Sequence, residues 1–183
     1  YGFTVEQREP YTFNPAPFIA DESKGMQGYL SSEPYAVLKE AGIEADVFLI
    51  ADAGFSSYAK TIETMADTIA DRPEVVECFV EGSAKGWYNF LYGDNAAARE
   101  LIKSDNPDMS DDKMDYAIDK MLSWGIVDSG DALKQGIMAI NPDIVADFYA
   151  KMVAAGVVSD GLDISKTYTT SFVNQGVGMD LKP

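Results

Sequence analysis

The strongest constraint on this chain is the stretch from Pro73 to Tyr92. Val76, Phe79, Val80, Ser83, Trp87, Phe90 and Leu91 recur there at spacings of three and four, the period of a helix with one apolar face. Pro73 stands where the first turn begins, and there its missing N–H costs nothing. Gly93 supplies the stop. A long amphipathic helix must bury its stripe against other elements, so the rest of the chain is read for what it can pack there.

Further helices follow on the C-terminal side. Asp94 can cap a helix over residues 95–103. Ser110 can cap another, with Asp111 and Asp112 favourable near its positive end and Gly125 closing it. Met114, Ala117, Ile118, Met121 and Leu122 form its expected core face. Asn141 and Pro142 open a last long helix with Ile144, Val145, Phe148, Met152 and Val153 inward, and Gly156 ends it. A short helix before Pro73 is expected to run to about Asp71.

The first third differs. Its proline-rich run, Pro10 to Phe18, is incompatible with a long helix and reads as extended. Strands are expected from Phe3 to Val5, Gln27 to Leu30, Asp46 to Ile50 and Tyr58 to Thr64. Pro34 is well placed in the first turn of a helix over 33–41 that stops at Gly42. Strands followed by helices predict an α/β chain, partial in its sheet and helix-rich toward the C-terminus. The opening residues from Tyr1 read as mid-strand, which predicts a piece of a longer protein.

Composition excludes several functions. With 30 acidic and 14 basic residues, the net charge is −16, which opposes binding to nucleic acid or an anionic membrane. No apolar run is long enough to span a bilayer, so no direct membrane insertion is expected. The chain has no histidine, so Ser-His and Cys-His nucleophile pairs are impossible within it. Cys78 is the single cysteine, so no internal disulfide can form, and a buried structural thiol beside Phe79 is expected. One cysteine and no histidine leave no expectation of a metal site, and no cofactor fingerprint is present. Trp87 and Trp124 fall on helical apolar faces and are expected in the core.

The candidate site is the corner from Gln27 to Tyr35. A carboxylate, Glu33, stands at a helix start beside Ser31 and Ser32, with Tyr29 and Tyr35 around it. Such a group can accept hydrogen bonds from a ligand that the free N–H groups of the helix start help to orient. A glutamate there is also favourable for dipole reasons alone. Tyr58 is a further stacking or hydroxyl candidate. Gly54, in the small-residue loop from Asp52 to Ser57, would let backbone approach a ligand. No catalytic residue is assigned.

Gly28 to Pro34, Val47 to Asp52, Tyr58 to Ile62, Pro73 to Val80 and Gly86 to Tyr88 occur in an order that resembles a known family. That family is the thiamine-pyrimidine-synthase-like substrate-binding proteins of ABC transporters, relatives of the alkanesulfonate-binding proteins. Gly125 to Gly130 and Met152 to Gly156 are similar to it as well.

The resemblance implies a type II periplasmic-binding-protein fold, of which this chain would be roughly the C-terminal half. Residues 1–50 would complete the second, ligand-binding lobe, and residues 51–183 would cross the hinge and return to the first lobe. It implies a non-catalytic, extracytoplasmic protein that captures a pyrimidine, a flavin or a similar solute and delivers it to an ABC permease. Glu33 would face the aminopyrimidine edge. The alternative is a pyrimidine-synthesis enzyme of the thiamine pathway on the same fold, whose histidine and cysteine-rich iron motif do not occur in this chain. A purely helical interaction module would suit residues 66–156 but leave the expected strands and the Glu33 corner unexplained.

Overall fold

Helix boundaries follow the capping residues closely. The computed structural model describes residues 2–12 and 14–183. Tyr1, in the expected opening strand, and Phe13, in the proline-rich run, lie outside the described residues. Helix α1 (Ala16–Ile19) is a single turn inside that proline-rich run. Helix α2 (Glu33–Ala41) carries Pro34 in its first turn, and Gly42 terminates it at φ 67°. Helix α3 (Ala66–Asp71) leads into α4 (Pro73–Tyr92), and Arg72 caps both. Helix α5 (Ala96–Asp105) begins after Asn95, and Asp94 Oδ1 accepts from the N–H of Ala96. Helix α6 (Asp111–Ser123) begins at Ser110, whose hydroxyl accepts from the N–H of Lys113. After the single turn α7 (Ala132–Gln135), α8 (Pro142–Ala154) begins with Asn141 accepting from the N–H of Asp143.

The expected α/β architecture is corrected: among the described residues there is no strand and no sheet. The type II periplasmic-binding-protein fold is therefore not what this chain forms. Val5–Gln7 is a turn of 3-10 helix. Residues 27–30, 46–50 and 58–64 are turns or irregular backbone. The physical reason is that a strand requires a partner for its N–H and C=O groups. Apolar alternation marks a segment able to pair, but no second run pairs with any of these. After Leu49 the backbone instead closes local turns, with the N–H of Phe55 donating to Ile50 O at 3.1 Å. Phe48 and Ile50 are left 88% and 68% exposed, so that run does not supply a core.

The core that does form is small and centred on α4. Val80, Ala84, Tyr88 and Leu91 are its buried face, joined by Ile137 and Ala132, while Val37 and Met114 are buried on α2 and α6. The Tyr88 hydroxyl accepts from the N–H of Ile137 at 3.1 Å, so its polar tip is satisfied within the core. The face expected from spacing is thus rotated. Phe79 and Trp87 are exposed, as is Cys78, so the buried-thiol expectation is also corrected. Trp124 is exposed as well. Leu122 of α6 is exposed, and α8 presents no fully buried residue.

The chain after α8 folds back. Asn174 clamps Ile140, accepting from its N–H and donating to its carbonyl, both at 2.9 Å. Residues Met179–Leu181 form a 3-10 turn against α4. Gly178, at φ 80°, lies so close to Tyr88 that a β-carbon would come within 2.8 Å of its ring.

Candidate functional site

The corner that carries Glu33 is built by hydrogen bonds to its own side chain. The N–H groups of Ser32 and Glu33 both donate to Tyr29 O, at 2.9 and 3.3 Å, and fold the chain tightly before α2. Glu33 then reaches back, and its Oε2 accepts from the N–H of Tyr29 at 2.6 Å. This approach depends on Gly28. A β-carbon at position 28 would lie 2.8 Å from Glu33 Cβ and 2.9 Å from Cγ, closer than side-chain carbons approach. The other carboxylate oxygen, Oε1, accepts from the Tyr11 hydroxyl at 2.7 Å. Burial, then the hydrogen bond and charge of Glu33, push the Tyr11 phenol up to about 12, so it remains a neutral donor at physiological pH.

The aromatic surroundings are unequal. The Tyr29 ring is half exposed and has the Lys60 ammonium 5.0 Å from its centroid. An exposed ring beside a fixed carboxylate offers a stacking surface next to a hydrogen-bond acceptor. Ser31 and Ser32 are half-buried in the same corner. Neither hydroxyl has a hydrogen-bond partner among the described residues, and Ser32 caps α2 without a side-chain bond.

Tyr35 lies one turn into α2 and is engaged elsewhere. Its hydroxyl donates to Asp112 Oδ2, and its ring packs against Tyr116 with centroids 5.4 Å apart. Lys39 also meets Asp112, at 2.7 Å. Lys39, with Ser110 and Tyr35, holds the Asp112 carboxyl well below the usual carboxylate range. This cluster ties α2 to α6.

Tyr58 and Gly54 make their hydrogen bonds with the α8 region. The Tyr58 hydroxyl accepts from the N–H of Asn141 at 2.7 Å, and the Gly54 carbonyl accepts from Lys151 Nζ at 2.5 Å. Their segment returns to the corner through Lys60. The structure therefore brings together Glu33, Tyr29, Ser31 and Ser32, and engages Tyr35, Tyr58 and Gly54 in contacts with α6 and the α8 region. It adds Tyr11, Lys60 and Gly28 to the site. Gly28 was visible within the motif, whereas Tyr11 and Lys60 carried no local signal.

Residues 10–98 match the family described as NMT1/THI5 like. The matched residues include the whole Glu33 corner, with Tyr11 and Lys60. The family covers both substrate-binding proteins and thiamine pyrimidine synthases. No curated protein and no solved structure matches the chain. Among the described residues, no helix is long and apolar enough to cross a membrane.

Proposed function

We propose that this chain belongs to the substrate-binding side of the NMT1/THI5-like family. It acts as the extracytoplasmic solute-binding component of an ABC importer and passes its solute to a permease. The solute is a small heteroaromatic molecule bearing an amino group, such as a pyrimidine precursor of thiamine. One observation carries the reading: Glu33 is a rigidly held carboxylate at a glycine-dependent corner, beside the half-exposed ring of Tyr29. Such a carboxylate can accept a hydrogen bond from an exocyclic amino group while the ring of the solute stacks on Tyr29. A second bond to a ring nitrogen would require a shared proton.

The synthase side of the family shares the same domain, and the absence of histidine from this sequence removes the commonest acid–base group. Calorimetric titration of the full-length protein with a 4-amino-5-hydroxymethylpyrimidine tests the proposal. Riboflavin and an alkanesulfonate serve as competing solutes. Glu33→Gln should weaken pyrimidine binding by about 10- to 150-fold, the equivalent of roughly 1.5–3 kcal/mol for a hydrogen bond to a charged group. Its circular dichroism should match wild type. Unchanged affinity would overturn the assignment of Glu33. Appearance of a new pyrimidine product on incubation would move the protein to the synthase side.

A further inference from the structure

We propose that Asp160-Gly161 is a site of spontaneous covalent modification in the folded protein: the Gly161 nitrogen closes on the Asp160 side-chain carboxyl, and the pair converts to an isoaspartyl linkage. The inference is independent of the Glu33 corner. It follows from the way Tyr149 holds the turn that comes after α8.

Asp160 is the one aspartate of the sequence that is followed by glycine. A side chain on the following residue would crowd the approach of its nitrogen to the carboxyl, and glycine has none. Apart from its chain neighbours, no atom lies within 4 Å of where a β-carbon on Gly161 would stand. Residues 154–163 are all exposed, so water reaches both partners. The Asp160 side chain is folded onto its own next peptide, and its Oδ1 accepts from the N–H of Gly161 at 2.8 Å. The carbon that the nitrogen must attack is one bond from that oxygen, so the pair is held close to the reacting geometry.

Tyr149 fixes this turn. Its hydroxyl donates to Ser159 O at 3.1 Å and accepts from the N–H of Leu162 at 2.9 Å. One phenol oxygen thus takes the place of the direct bond between the first and fourth residues of a turn. Asp160 and Gly161 stand at the tip. Asp163 is the contrast: its Oδ1 accepts from the N–H and hydroxyl of Ser165, two residues on, and the β-branched Ile164 follows it.

The reaction balances with water alone. The Gly161 nitrogen gives its proton to solvent as its electron pair forms a bond to Asp160 Cγ. The C–OH bond of the protonated carboxyl breaks, the oxygen takes a proton from solvent, and water leaves a five-membered succinimide. Water then adds to one of the two ring carbonyls. Opening at Cγ restores aspartate, whereas opening at the main-chain carbonyl leaves the chain running through Cβ and Cγ. Nothing is oxidised or reduced. The new linkage lengthens the backbone by one atom between residues bound to the same phenol, so it releases at least one end of the Tyr149 bracket.

The test incubates the folded full-length protein at pH about 6, where a small fraction of an ordinary aspartate is still the acid. The tryptic peptide from Met152 to Lys166 is then resolved by chromatography and fragmentation, since the isoaspartyl form has unchanged mass. It contains both Asp160 and Asp163. Isoaspartate should accumulate at Asp160 and not at Asp163. Asp160→Glu, whose ring would be one atom larger, should form none at that position. A freed turn that keeps the reacting arrangement one-tenth of the time reacts about 10-fold more slowly, and Tyr149→Phe should slow the conversion by about that factor. Equal rates in wild type and Tyr149→Phe would overturn the proposal. So would isoaspartate at Asp160 in the urea-unfolded chain but not in the folded protein, because the fold would then protect the pair.

Discussion

Glu33 and Gly28 act as one unit, because the carboxylate can fold back on Tyr29 N only where position 28 has no side chain. Gly28→Ala places a carbon against Glu33 Cβ rather than against a flexible side-chain tip, so relief requires the turn itself to open. We predict a loss of about 1–3 kcal/mol in urea unfolding, the range for overpacking a close contact, with solute affinity falling in parallel. An unchanged urea midpoint would show that the turn yields freely. Glu33 and Tyr29 were legible in the sequence, because they fall within five positions and precede a helix start, whereas the role of Gly28 shows only in the close approach of Glu33. Tyr11 and Lys60 were not. Each meets the corner through a tertiary contact, and neither stands in a pattern that distinguishes it from other tyrosines and lysines of the chain.

Helix ends were legible for the same local reason. Pro34, Gly42, Pro73, Gly93, Ser110 and Asn141 act within one turn of themselves, and the observed boundaries of α2, α4, α6 and α8 follow them. Strands were not, because a strand depends on a partner that local pattern does not reveal. The faces of α4 show an intermediate case. Spacing placed Val80 and Leu91 inward, where they are buried, but also Phe79 and Trp87, which are exposed while Ala84 and Tyr88 are buried, since the Ile137 N–H gives the Tyr88 hydroxyl a partner inside the core. The two faces should respond differently to mutation. Tyr88→Phe leaves the Ile137 N–H without its acceptor and should cost about 1–3 kcal/mol. Phe79→Ala, on the 61% exposed side chain, should stay within about 0.5 kcal/mol. Equal losses in chemical denaturation would mean that α4 packs through the other stripe.

At the scale of the whole molecule, the small core is closed by an ionic latch. The Asp128 side chain is only 3% exposed, and its Oδ2 accepts from the Tyr92 hydroxyl at 2.7 Å and from Lys182 Nζ at 2.8 Å. Lys182 also lies over the Tyr92 ring, 5.7 Å from its centroid. Through these contacts the segment ending in the Met179–Leu181 turn is pinned to the end of α4. Lys182→Met removes the cation paired with a buried carboxylate. The expected cost is about 1–3 kcal/mol, less than for a fully buried pair because Lys182 itself is one-third exposed. Adding Asp128→Asn should recover much of the loss, since no charge then remains to be paired.

The same latch gives an alkaline signature. Burial, then the hydrogen bond to Asp128, push the Tyr92 phenol up from the ordinary 10.0 to about 12. The folded state therefore keeps a proton that the unfolded chain has released. Its contribution to stability is complete below pH 10 and is lost as the pH rises from about 10 to about 12. Tyr11 contributes in the same window and with the same sign. Urea unfolding at pH 8 and pH 11 should show a smaller alkaline loss for Tyr92→Phe than for wild type, and a smaller one still for Tyr11→Phe/Tyr92→Phe. If all three proteins lose stability equally between those pH values, neither phenol is protected in the fold. In that case the Asp128 latch does not hold its tyrosine.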